Sequence, residues 1–151
     1  MKPPSLGLPK IFVHNRQRKI SIAREDLERF ARWALPLCAG AAGAGLTNLG
    51  EVHVILVSDR RIAQLHRRFM QVSGPTDVIT FQHGEIFLSV ETARRQARLH
   101  RTSLGYELQL YLVHGLLHLR GFDDRDAGSR KRMSATQEKI LRRLARADHG
   151  Q

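Results

Sequence analysis

Residues 114–124 read HGLLHLRGFDD and hold the densest set of chemically capable side chains in the chain. His114 and His118 are four apart. A helix advances about 100° per residue, so both imidazoles share a face and reach one ion. Gly121 ends that helix, because glycine accepts the left-handed backbone that other residues resist. The resulting turn carries Asp124 back toward the same ion. Two imidazoles and a carboxylate then form three protein ligands with a fourth position open, as a catalytic zinc requires. Asp123 competes for the third place, and the spacing favours Asp124. The bland alternative is a pair of helix histidines beside an acidic cap.

The pattern H-x-x-x-H-x-x-G-x-x-D departs at two positions from the zinc-protease pattern H-E-x-x-H-x-x-G-x-x-H. Gly115 stands where the protease keeps its water-activating glutamate, which argues against peptide hydrolysis. Asp124 replaces the third imidazole. Its negative charge weakens the ion as a Lewis acid and favours harder ions such as Mn²⁺ or Mg²⁺ alongside zinc. Glu107 and Tyr111 fall on the same helical face as the histidines. They either orient an imidazole from behind or form the polar edge of a packed helix.

Twenty-five Lys and Arg against fourteen Asp and Glu give the 151 residues a formal charge of +11 and a pI near 11.1. Arginine pairs recur, as at Arg60-Arg61, Arg67-Arg68, Arg94-Arg95 and Arg142-Arg143. A field of this sign draws polyanions, and nucleic acid is the usual one. The single cysteine, Cys38, cannot form an internal disulfide, which fits a reducing cytosol and a packing role. The opening MKPPSLGLPK has no apolar core of a signal peptide, and no apolar run has the length of a membrane span. The expected location is the cytoplasm.

Periodicity places the elements around this site. Strands are expected at 11–14, 51–57, 76–81 and 86–90, the last two forming a hairpin across the QHGE turn. Helices are expected at 25–38, 59–70, 90–99, 104–119 and 126–146. Ser58 caps the second, which turns Ile62, Leu65, His66 and Phe69 inward. The last helix buries Met133, Ile140, Leu141 and Leu144 and shows arginines outside. Residues 1–10 are expected to be flexible, and the small-residue stretch 39–50 to be a connector or helix end. The whole is one α+β domain over 1–151: a small mixed sheet of about four strands flanked by about five helices.

Three motifs in order make the chain resemble the YbeY family, bacterial metallo-endoribonucleases of single-stranded RNA that act in rRNA maturation. The family's HGxLHLxGYDH appears as HGLLHLRGFDD, its PTDVLSF as Pro75-Thr76-Asp77-Val78-Ile79-Thr80-Phe81, and its GDIxIS as Gly84-Glu85-Ile86-Phe87-Leu88-Ser89. The motif-bearing part spans about residues 51 to 145. The resemblance implies one Zn²⁺ per chain on His114 and His118, with Asp124 at the family's third histidine. These three would act in catalysis through water held on the ion. It also implies a cleft whose wall includes Thr76, Asp77, Thr80 and Ser89, although for Thr76 and Asp77 a turn entering a strand is the first reading. The family's helical arginine falls on Met70, its role open to Arg67 and Arg68 one turn earlier, and the family's asparagine falls on His66. Arg67, Arg68 and Arg120 are the expected RNA contacts. The implied partners are single-stranded RNA, 16S rRNA and the small ribosomal subunit, with ribosomal proteins or the GTPase Era. The rival reading is a ribosome-assembly or RNA-binding factor whose metal site is weak or structural.

Overall fold

A computed structural model describes residues 7–40 and 46–149. Four strands form one sheet: β1 (Lys10–Asn15), β2 (Glu51–Val57), β3 (Val78–Phe81) and β4 (Glu85–Ser89). Their order is β1-β2-β4-β3, with β1, β2 and β4 parallel and β3 antiparallel to β4. Among the described residues five α-helices flank it: α1 (Arg24–Ala39), α2 (Asp59–Met70), α3 (Val90–His100), α4 (Leu104–Arg120) and α5 (Ala127–His149). The α+β class and the mixed four-stranded sheet are as expected. No helix among the described residues is long and apolar enough to cross a membrane.

Local chemistry sets the helix starts. The hydroxyls of Ser58, Ser89 and Ser103 accept from the backbone N–H groups of Arg61, Thr92 and Tyr106, opening α2, α3 and α4. Each satisfies an N–H that the helix itself leaves unpaired. Strand β3 starts at Val78 rather than at residue 76, because the Asp77 carboxylate accepts from Val78 N–H and from the Thr76 hydroxyl. That turn removes two residues from the ladder. Ser89 ends β4 by capping α3 and donating to Asp59. Only residues 1–6 and 41–45 of the expected flexible head and connector lie outside the described residues. Leu46–Asn48 form a short 3₁₀ turn.

The main core lies between one face of the sheet and helices α1, α4 and α5. Val52, Val54, Leu56, Ile86 and Leu88 project into it and meet Leu112, Leu116 and Met133. Cys38 is fully buried here, and burial pushes its thiol up to about 12, against the pull of the Arg120 charge, so it packs as a small apolar group. Val57, Ile62, Leu65 and Ile79 form a smaller cluster under α2 on the opposite face. One expectation fails there. Phe69 meets Phe81 of β3 edge-on at 5.2 Å yet stays 52% exposed and outside the core, at the uncovered end of α2. His66 is half-buried and is held through Nδ1 to the Gly74 carbonyl at 3.0 Å.

Helix α4 runs through the middle of this architecture and is buried on most sides, with its C-terminal turn reaching the surface. Gly115 explains how close it comes to the sheet. A Cβ at this position would lie 2.6 Å from Ile86 Cγ2 on β4. The residue that separates the two histidines' signature from that of the proteases is therefore a packing requirement: only hydrogen fits between α4 and β4.

Candidate metal centre

The end of α4 builds the site. Gly121 adopts φ of +122° and donates its N–H to the His118 and Leu117 carbonyls, while Phe122 N–H reaches back to the Leu117 carbonyl at 3.0 Å. This paired closure is the Schellman arrangement, which stops the helix and reverses the chain. The reversal does two things. It places the Phe122 carbonyl 3.1 Å from His118 Nδ1, and it returns Asp124 toward the histidines.

His114 Nδ1 lies 2.9 Å from Oε1 of Gln137, a residue of α5. Both Nδ1 atoms thus face oxygens, and in the tautomers these contacts favour they carry the ring protons. Both Nε2 atoms are then left with lone pairs, and they point at each other across 3.1 Å. Two lone pairs at that distance repel, and neither nitrogen has a proton to offer the other. A cation between them resolves the conflict. Asp124 Oδ2 is 4.0 Å from His118 Nε2, and one ligand atom from each of the three residues lies within 4.8 Å of the others. Bonds of about 2.0–2.2 Å to one small ion span the 3.1 Å between the two Nε2 atoms, and the exposed Asp124 carboxylate completes the set by swinging inward. The donor set therefore fits a metal.

Electrostatics prepare the same state. Burial lowers the pKa of His118, and the neighbouring His114 lowers it further, outweighing the opposing pull of Asp124 and the Phe122 carbonyl. The ring stays neutral, which is the form that binds metal. Asp124 differs from the histidines in being 53% exposed.

The remaining expectations resolve unevenly. Glu107 is buried and accepts from the Thr102 hydroxyl at 2.6 Å and meets His100 Nδ1 at 3.4 Å, so it joins α4 to the end of α3. Tyr111 is buried, and neither its hydroxyl nor that of Thr80 has a hydrogen-bond partner among the described residues. Neither Glu107 nor Tyr111 orients the His114 or His118 ring. Gln137 and the Phe122 carbonyl take that part, and the sequence reading missed both. Thr76, Asp77 and Ser89 serve the turn and the cap described above. Arg67 and Arg68 are exposed in the last turn of α2. Arg120 is half-buried, directing Nη1 to the Cys38 carbonyl at 3.4 Å and its guanidinium over the Phe122 ring at 5.2 Å.

A small α+β protein with a histidine pair on a core helix and a carboxylate on the following turn is of metalloenzyme type. The chain belongs to the YbeY family: the family model described as Endoribonuclease YbeY matches residues 12–145. Similar proteins carry the same description. The Endoribonuclease YbeY of Gluconobacter oxydans is 33% identical over 155 residues, covering 98% of this chain and 91% of that protein. That of Moorella thermoacetica is 35% identical over 148 residues, covering 85% and 93%. A solution structure of a Thermotoga maritima protein superposes with a TM-score of 0.61 at 26% identity, covering 89% of this chain and 88% of the other.

Proposed function

We propose that this protein is a metal-dependent endoribonuclease that cuts single-stranded RNA in the cytoplasm, acting in maturation of the 16S rRNA 3′ end and in ribosome quality control. One observation carries the reading. Within a chain of the YbeY family, two helical imidazoles with engaged Nδ1 atoms turn both Nε2 lone pairs onto one point beside Asp124.

His114, His118 and Asp124 would hold a single Zn²⁺, and the carboxylate widens the choice toward Mn²⁺ or Mg²⁺. A bound divalent ion supplies charge stabilisation at the scissile phosphate and lowers the pKa of water. The protein's own contribution is positional. Gln137 and the Phe122 carbonyl fix the tautomers and the ring planes. Arg67 and Arg68, exposed on α2, supply positive charge for phosphates, and the binding this gives weakens steeply with salt. Arg120 holds the metal turn against the end of α1, and its phosphate contact is the weaker expectation of the three. The small ribosomal subunit is the natural setting for such a substrate, with ribosomal proteins or the GTPase Era as protein partners.

The exposed carboxylate and Met70, where the family often has arginine, favour a second reading: an RNA-binding assembly factor with a structural metal. Metal content and cleavage of a single-stranded RNA by wild type, His114→Ala and Asp124→Ala separate the two. The nuclease reading expects cleavage that depends on metal and disappears in His114→Ala. Salt-sensitive RNA binding that persists in His114→Ala, with no cleavage by the wild type, favours the assembly factor.

A further inference from the structure

The hairpin of β3 and β4 has a second working side. Its residues alternate between faces: Ile86 and Leu88 enter the main core, while Ile79 pairs with Phe87 and Phe81 pairs with Glu85 on the opposite face. Helix α2 covers Ile79 and Val57, but its last turn stops short of covering the hairpin end. A groove of about 560 Å³ remains between them. Phe81 stands at its centre. It meets Phe69 edge-on at 5.2 Å and Phe87 edge-on at 5.8 Å, and it stacks on His83 at 5.8 Å and 22°. Phe69 and His83 are exposed, so ring faces are presented to solvent.

Cations border these rings. Arg61 and Arg68 line the groove, and the Arg68 guanidinium sits 5.3 Å from the Phe69 ring centre. Glu85, the one acid among the described residues of the lining, is held by His83 at 2.6 Å. Arg61 donates to Gln64 at 3.3 Å, and neither arginine has an acidic partner among the described residues, so apolar rings beside these cations suit a ligand with a flat face and an anionic backbone. An apolar peptide would satisfy the rings and leave the arginines without an anionic partner. The same hairpin also touches the metal helix: Gln82, between Phe81 and His83, donates its side-chain N–H to the His118 carbonyl at 3.5 Å. The hairpin thus touches the metal helix at Gln82 and carries the rings at its neighbours Phe81 and His83.

We propose that the groove between α2 and the β3–β4 hairpin is a subsite for one unpaired base of single-stranded RNA, stacked on the exposed Phe69 ring and meeting Phe81 edge-on, with Arg61 and Arg68 on the flanking phosphates. This rests on the RNA reading above and adds to it a contact point away from the metal. A base on an aromatic platform gains affinity with little regard to its identity. The groove therefore sets how long a substrate must be for tight binding, more than which sequence is cut.

The test uses the metal-loaded protein and single-stranded oligoribonucleotides carrying 2-aminopurine at successive positions, whose fluorescence falls on stacking. The wild type quenches one position strongly. Phe69→Ala, at a site more than half exposed, abolishes that quenching and weakens binding about tenfold, while Phe69→Trp restores both. Arg68→Glu weakens binding without requiring any change in the rings, and far-UV circular dichroism verifies that each variant is folded. His118→Ala loses metal and cleavage yet keeps the quenching. Unchanged quenching and affinity in Phe69→Ala overturn the subsite while the nuclease reading stands. Loss of quenching in His118→Ala also overturns it, by placing the stacked base at the metal. A wild type that neither binds nor cleaves RNA overturns the reading beneath it as well.

Discussion

His114 and His118 rise from a helix packed into the core, each with its Nδ1 already engaged, by Gln137 on α5 and by the Phe122 carbonyl. Asp124 sits three residues beyond the helix turn, 53% exposed, its carboxylate reaching no closer than 4.0 Å to His118 Nε2. The same ion would be held from one side by groups whose orientation is fixed before binding, and from the other by a group that must be ordered on binding. Pre-ordered ligands lose little entropy when they bind, whereas a mobile one gives back part of its bond energy in being fixed. The difference suggests that the histidines set affinity, and that the carboxylate tunes which ion is preferred.

Four experiments can break or sharpen that contrast. The largest effect belongs to the helix. His118→Ala lowers metal affinity by more than the about 10–100-fold typical of losing an orienting partner, measured by competition with a chelator. Asp124→Ala lowers it less than His118→Ala does, and Asp124→His keeps or raises zinc affinity. Equal losses for His118→Ala and Asp124→Ala would erase the distinction between the two sides of the site. Gln137→Leu removes only the support behind His114 and costs about tenfold in metal affinity. An unchanged affinity there means that helix packing alone orients the ring.

The smallest effect is on the folded state without metal. Burial and His114 hold His118 below the ordinary value of 6.5, so the unfolded chain takes up a proton first as pH falls. His118 accordingly contributes full stability above 6.5, and the contribution is lost as pH falls through 6.5 toward the lower folded-state value. The urea midpoint of metal-free protein should fall across that window, and less so in His118→Asn. Equal slopes in the two proteins would remove His118 from the explanation.

Much of this was visible in the order of residues. The histidine spacing, the glycine stop and the returning aspartate are all local, and local patterns translate directly into helix faces and turns. Ser58 was readable as a cap for the same reason. What escaped depends on contacts between distant elements. Gln137 lies in a polar stripe of α5 with nothing to mark it, and its role appears only when α5 lies across α4. Gly115 reads as a missing catalytic base, until the 2.6 Å approach of Ile86 gives it a packing reason. Phe69 has the helical phase of a core residue, yet periodicity cannot tell where the sheet beneath a helix ends. The two residues lost from the start of β3 belong to side-chain bonding by Asp77, which competes with strand pairing.

The Schellman turn has one more consequence, for thermodynamic linkage. It collects all three candidate ligands into eleven consecutive residues, His114 to Asp124. A metal can therefore find two imidazoles one turn apart even in a chain that has lost its sheet. Any affinity of the unfolded chain subtracts from the stabilisation that binding gives the native state. Zinc should raise the melting temperature by less than its affinity for the folded protein implies. The shortfall measures how much of the site a short helix makes alone, and the remainder measures what α5 adds through Gln137.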